Sequence, residues 1–212
     1  MEDHKHHYLS PQLESLIVQA VECFCKTPLK ELPPNCEFQG AGVYALYYTG
    51  KFQPYASISQ ANLACSGSLP IYVGKAVPRG WRQSRLVAFG DTAELSGRLR
   101  EHARSIEQVR SLKLSAFQCR FMVMIGTSVD LISTVENALI RKFTPLWNSL
   151  VDGFGNHDPG SGRYEQAMSE WDVIHPGRIW AEHLKGQRPN AKVVLAKIAA
   201  YSSRLKRGTD AI

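Results

Sequence analysis

The fold of this chain is decided by two stretches, Gly42-Val43-Tyr44-Ala45-Leu46-Tyr47-Tyr48 and Ile71-Tyr72-Val73-Gly74-Lys75. The first is rich in aromatic and β-branched residues and ends at Thr49-Gly50, and the second follows a polar connection over residues 50–69. Both compositions are typical of β-strands. Together they predict an antiparallel hairpin with a long inserted loop.

Helices and a third strand are predicted on either side of this hairpin. Residues 10–25 predict an amphipathic helix, with Ser10 as its N-cap and Pro11 in its first turn. Thr127-Ser128-Val129-Asp130 has the form of a capping box before another helix. The periodicity further predicts three longer helices, over 91–110, from the capping box to about residue 143, and over 191–207. It also predicts a strand over 117–125, a glycine-rich loop over 151–163, and two short helices around 163–173 and 176–184. This order favours an α/β fold of the α+β type.

Composition is that of an ordinary globular protein. The 212 residues are 44% hydrophobic and 21% charged, which suits one domain over residues 1–212 with a substantial core. No apolar run reaches the length of a membrane span. The polar N-terminus lacks a signal-peptide pattern, so we expect a cytoplasmic protein. Five cysteines without zinc-ligand spacing predict reduced thiols.

Positive charge is concentrated after the second tyrosine motif. The net charge is +6, which permits a polyanionic partner without requiring one. Residues 75–110 contain eight basic residues and only four acidic ones; the basic residues are Lys75, Arg79, Arg82, Arg85, Arg98, Arg100, Arg104 and Arg110. A solvated surface would explain them, but their position beside the motif favours a face that follows phosphates.

Glu136 is unusual because its helical neighbours Ile132, Leu139 and Ile140 are apolar. A carboxylate in such a stripe is costly to bury without a partner. Either it lies at the edge of the stripe and reaches solvent, or it binds a cation. A single carboxylate completed by water and substrate phosphate suits magnesium.

Arg98 and His102 lie one helical turn apart and therefore share a face. Alone, they would be interpreted as an exposed arginine and a histidine at the edge of the core. Tyr44 and Tyr72 would likewise be interpreted as strand aromatics, and Asn148 as a turn residue after a helix. Occurring in this order, the five residues indicate a common site.

The ordered set Gly-Val-Tyr, Tyr-Val-Gly, Arg98, His102, Glu136 and Asn148 resembles the GIY-YIG nuclease superfamily, with the signature over residues 38–150. The rest of the chain then forms extensions at 1–37 and 151–212. A closer resemblance, to the small type II restriction endonucleases of this superfamily that cut CCGCGG, is carried by FQGAGVYALYYTG, LPIYVGKAVPRGWRQSR, ISTVENALI, PLWN, VDGFGNH and SEWDVIHPGRIWAE.

The resemblance implies a fold, a reaction and partners. The fold is a three-stranded antiparallel sheet flanked by helices. The reaction is hydrolysis of phosphodiesters in both strands of a palindrome, with one magnesium ion per active site held by Glu136. The partners are double-stranded DNA, a second copy of the chain in a homodimer, and a methyltransferase that protects host DNA. We also expect the 50–69 loop to contact DNA or a partner subunit.

The same resemblance implies roles for the site residues. Tyr44, with Lys75 assisting, would deprotonate the attacking water, because Lys75 and a metal would lower the pKa of a phenol towards neutrality. Arg98 and His102 would steady the phosphate, and Tyr72 and Asn148 would order the site. For readout of G·C pairs, the candidate arginines are Arg79, Arg82, Arg85, Arg163 and Arg178.

Two other functions remain open on the sequence. The chain could be a structure-specific or repair nuclease of the same superfamily, although no zinc module or helix-hairpin-helix pattern accompanies the signature. It could also be a DNA-binding module that has kept the fold without activity. The intact set of site residues argues against the second.

Overall fold

The structure, a computed structural model, describes residues 8–78 and 93–209, with side chains as far as residue 205. At its centre is an antiparallel sheet in the order β1-β4-β2-β3. The strands are β1 (Lys30–Glu31), β2 (Ala41–Tyr48), β3 (Pro70–Ala76) and β4 (Phe117–Met124). The three predicted strands are therefore present, and the short β1 adds a fourth beside β4.

The central strand β2 separates two hydrophobic cores. Successive side chains of a strand point to opposite faces, so Tyr44 and Leu46 enter one core while Val43 and Ala45 enter the other. All eight residues of β2 are buried. Burial on both faces explains why the strand is apolar throughout rather than alternating.

Eight helices of the described ranges surround the sheet. Their bounds are α1 (Pro11–Lys26), α2 (Ala56–Ala64), α3 (Glu94–Glu107), α4 (Ile132–Phe143), α5 (Leu146–Ser149), α6 (Glu170–Ile174), α7 (Ile179–Glu182) and α8 (Ala191–Thr209). The first core lies between the sheet and α3, α5, α6 and α8, and the second lies against α1 and α4. None of these helices combines the length and apolar character needed to cross a membrane.

The ends of the helices test the predicted capping. Ser10 caps α1 as expected, since its Oγ accepts a hydrogen bond from the Leu13 amide, and Pro11 lies in the first turn. The capping box at Thr127 was wrong. Residues Gly126–Leu131 form a 3₁₀ turn, and α4 begins only afterwards without a side-chain cap.

The long connection between β2 and β3 is structured rather than an open loop. It contains α2, and Asn62 on that helix donates to the carbonyls of Tyr48 and Leu69 and accepts from the Leu69 amide. Tyr55 and Ile58 are buried. The connection therefore packs onto the first core, and its contact with DNA or a second subunit stays a prediction.

Candidate active site

Tyr44 and His102 form a buried hydrogen-bonded pair. Tyr44 extends from β2 and His102 from α3, and the Tyr44 hydroxyl lies 2.5 Å from His102 Nε2. Burial lowers the pKa of His102 well below its ordinary value, with the charge of Arg98 adding to the effect, so the ring is neutral near pH 7. We assign the phenol as donor and Nε2 as acceptor, because a buried hydroxyl proton needs an acceptor.

The surroundings of Tyr44 shift its pKa upwards, whereas the sequence led us to expect a lowered pKa. Burial raises the pKa of Tyr44 well above its ordinary value, Tyr72 and Glu136 raise it further, and Arg98 only partly opposes them. Lys75 was expected to lower this pKa, but its ammonium is paired with Glu136. Before a metal or substrate is bound, Tyr44 is therefore a protonated phenol.

The two motif glycines allow close approaches around this pair. A Cβ atom at Gly42 would lie 2.0 Å from the Met122 carbonyl oxygen on β4, and one at Gly74 would lie 2.4 Å from the Tyr44 hydroxyl. Gly74 lies opposite Tyr44 in the β2–β3 register. Gly74 therefore makes room for the Tyr44 hydroxyl, and Gly42 makes room for the backbone of β4.

Tyr72 lies beside the pair and completes an aromatic group around it. Its ring centroid is 6.2 Å from that of Tyr44, 5.3 Å from His102 and 5.0 Å from Phe154. Burial raises the pKa of the Tyr72 phenol, and the nearby guanidinium of Arg98 opposes the rise. Arg98 therefore acts electrostatically on both phenols.

Lys75 and Glu136 form an ion pair on the other face of the sheet. Lys75 lies opposite Val43 in the register, and its Nζ is 2.6 Å from Glu136 Oε2. The side chains are 32% and 15% exposed, which leaves the pair accessible to solvent. The charge of Glu136 nevertheless raises the pKa of Tyr44 and of Tyr72, so the carboxylate lies within electrostatic reach of both phenols.

Asn148 holds the backbone of β3. Its Oδ1 accepts from the Val73 amide and its Nδ2 donates to the Val73 carbonyl, both at 2.8 Å. The side-chain amide thereby pairs with the free edge of β3 as a neighbouring strand would. Its contribution to the site is to position Tyr72 and Gly74, the residues on either side of Val73.

Arg98 is held by a loop to which the sequence pattern assigns no role. Its Nη1 donates to Glu101 at 2.9 Å and contacts the ring of His157, and its Nη2 donates to the Gly155 carbonyl at 3.0 Å. Gly155 and His157 belong to the glycine-rich loop, residues 151–163. The sequence signal for this contact was His157, which lies among loop-forming glycine, asparagine, aspartate and proline residues, and the sequence-based prediction missed it.

The candidates for base readout separate into three groups. Arg178 is only 1% exposed and is paired with Asp172, so its assignment to base readout is wrong. Arg163 is exposed and donates to the Pro159 carbonyl, which leaves it open as a candidate. Arg79, Arg82 and Arg85 lie outside the described residues.

The donors present fit magnesium. Glu136 offers one partly exposed carboxylate, and the described residues contain no group of three or more histidine, cysteine, aspartate or glutamate side chains that could hold a metal. A zinc centre would require such a group. Magnesium is commonly bound by one or two carboxylates and completed by water and phosphate.

The match to a known family agrees with this arrangement. Residues 36–202 match the family model described as the Eco29kI GIY-YIG domain. The chain belongs to this family of restriction endonucleases. It is therefore a nuclease domain whose partner is DNA. No protein with a curated description matches the chain.

Proposed function

We propose that the protein is a type II restriction endonuclease that hydrolyses both strands of a palindromic DNA site, CCGCGG. The family match supports the nuclease class, and the family's Eco29kI name is consistent with this recognition sequence. The observation that carries the chemistry is the 2.5 Å contact between Tyr44 and neutral His102, with Arg98 and Glu136 acting on the same phenol. Tyr44 and His102 can pass on a proton, and Arg98 beside them can stabilise negative charge.

The proposed chemistry starts from a water molecule that attacks the phosphorus in line with the leaving oxygen. A buried phenol is a weak acid, so its conjugate base is strong but scarce. Neutral His102 resolves this difficulty because its Nε2 can accept the Tyr44 proton while Tyr44 accepts one from water. Tyr44 is then the general base, as expected from the sequence, with His102 as its proton acceptor.

Arg98 is the residue best suited to the phosphate. Its guanidinium lies close enough to affect both Tyr44 and Tyr72, and donors aimed at developing negative charge are among the largest contributions to catalysis. Glu136 would hold one magnesium ion, which when bound neutralises charge on the phosphate and the leaving oxygen. Lys75 keeps the Glu136 carboxylate in place.

The exposed face of α3 gives DNA a path to this site. Arg100 and Arg104 on α3 and Arg110 just beyond its end are exposed, and no described carboxylate forms an ion pair with them. Contacts from such arginines to phosphates position a protein on DNA without reading sequence. Cutting a palindrome in both strands further suggests a two-fold homodimer with one site per subunit, acting in the cytoplasm beside a methyltransferase that protects host DNA.

Digestion of unmethylated plasmid of known sequence tests the proposal. The purified protein and a Glu136→Gln variant are incubated with magnesium, and the fragment ends are mapped. We expect discrete cutting at CCGCGG by the wild type and none by the variant, which keeps the size of the side chain but removes its charge. Cutting at another palindrome would retain the class and reject the site, whereas cutting only of branched DNA would support a structure-specific nuclease.

A further inference from the structure

Arg178 uses all its donors inside the protein. Nε donates to Asp172 Oδ1 at 2.6 Å and Nη2 to Asp172 Oδ2 at 2.7 Å, which forms a two-pronged ion pair. The remaining bonds go to three backbone carbonyls, those of Gly153, Phe154 and Asn156, at 2.9, 3.1 and 3.2 Å. The guanidinium is also enclosed between the rings of Trp171 and Trp180.

Stability alone does not account for this arrangement. Buried ion pairs contribute little net stability, because removing two charges from water offsets most of their attraction. A planar guanidinium with five donors is, however, well suited to fixing several acceptors at once. Here all three backbone acceptors belong to one short segment, residues 153–157 of the glycine-rich loop.

The other side of the same segment faces the catalytic residues. The Gly155 carbonyl and the His157 ring hold the guanidinium of Arg98. The Phe154 ring stacks on the His102 ring, with centroids 4.6 Å apart and an interplanar angle of 18°. A Cβ at Gly155 would lie 2.8 Å from the Tyr72 hydroxyl, so the segment fits closely against the site.

We propose that Arg178 is a positioning residue for Arg98: it fixes segment 153–157, and the segment fixes the Arg98 guanidinium beside Tyr44 and Tyr72. This assignment rests on the proposed nuclease function only for its kinetic consequences. Asp172 holds Arg178 in turn, and Ser169 donates to Asp172 Oδ2 at 2.7 Å.

A double-mutant cycle with Arg98 tests the assignment. We expect Arg178→Lys, which keeps the charge but loses the fork, to slow single-turnover cleavage about 100-fold, as small misplacements of catalytic groups do. Affinity for DNA should change little. In an Arg98→Ala background the same substitution should cause little further loss, because Arg178 acts through Arg98. Equal losses of rate in both backgrounds would overturn the proposal.

The chain offers a matched control at Arg120. This arginine also donates to a backbone carbonyl, that of Cys25, and lies over an aromatic ring, that of Tyr47. It contacts none of the segment, so Arg120→Lys should leave the cleavage rate near that of the wild type. All rates are measured well below the melting temperature of each variant, which separates misplacement from unfolding.

Nuclear magnetic resonance on the DNA-free protein provides a readout that does not depend on cleavage. With 15N-labelled arginine, and with the Arg98 signal assigned from the Arg98→Lys spectrum, the Nε–H group of Arg98 should be rigid in the wild type and mobile in Arg178→Lys and in Gly155→Ala. A rigid Arg98 in both variants would overturn the positioning role. If the wild type cuts no DNA but Arg98 becomes mobile as expected, the proposed function fails and the positioning role stands.

Discussion

The phenol–imidazole pair, Tyr44 and His102, and the ion pair, Lys75 and Glu136, lie on opposite faces of one sheet and differ most in their access to water. Tyr44 is fully buried and His102 is 2% exposed, whereas the Lys75 side chain is 32% exposed. Burial keeps both members of the first pair neutral, and the hydrogen bond between them gives the Tyr44 proton a direct path to His102. The exposed pair keeps charges that can exchange partners with an incoming cation or phosphate. The buried pair is therefore suited to proton transfer, and the exposed pair to binding a cation.

Of the substitutions that test this comparison, removing the Tyr44 hydroxyl should have the largest effect on the cleavage rate. General bases contribute about 10²- to 10⁴-fold to rates, so Tyr44→Phe should slow single-turnover cleavage by that range. DNA affinity should stay near the wild-type value because the hydroxyl is buried. Tyr47→Phe is the control, since Tyr47 lies on the same strand but in the opposite core. A Tyr44→Phe enzyme that cuts at the wild-type rate would refute the base assignment.

Lys75→Met should break the exposed pair and should lower the cleavage rate less than Tyr44→Phe does. Without Lys75, Glu136 has no competing ammonium, so the magnesium concentration needed for half-maximal rate should fall. The maximal rate should also fall, by about tenfold, because Lys75 no longer holds the carboxylate in place. Titration of the cleavage rate with magnesium measures both quantities. A higher magnesium requirement in the variant would contradict the competition between Lys75 and the metal.

The sequence predicted all four members of these two pairs as site residues, but not which of them contact one another. Tyr44, Tyr72 and Glu136 could be located because they lie within periodic elements, where burial and spacing are local properties. Their contacts could not be predicted, since the contact of Tyr44 with His102 and that of Asn148 with Val73 depend on how distant elements pack. Arg178 shows the limit most clearly: an arginine is usually exposed, and only the fold encloses this one between Trp171 and Trp180.

Two buried histidines, His102 of the pair and His175, should also make the fold sensitive to acid. Burial lowers the pKa of His102 below its unfolded value of about 6.5 and that of His175 to about 3. The unfolded chain therefore binds protons first, and stability present above pH 6.5 is lost as the pH falls. Each histidine should contribute about 1.4 kcal/mol per pH unit to this loss.

Urea unfolding at pH 7 and pH 5.5 measures this effect. The His102→Gln and His175→Gln variants should each lose less stability between the two pH values than the wild type does. A Lys75→Met variant serves as the control on the exposed face, and it should lose as much as the wild type. Equal losses in all four proteins would show that neither histidine is held neutral by the fold.

The smallest expected effect lies outside both pairs, on the exposed face of α3. If Arg100 and Arg104 bind phosphates, replacing both with glutamine should weaken DNA binding uniformly across sequences. The slope of log affinity against log salt should become shallower by about 0.9 for each phosphate that is no longer neutralised. The control is Arg141→Gln with Lys142→Gln, which removes the same charge from the end of α4. The rate at saturating DNA should be unchanged in both variants, since neither pair of residues touches the Tyr44–His102 pair or the Lys75–Glu136 pair. A slope that changes equally in the two variants would mean that overall charge, rather than a path along α3, directs DNA to the site.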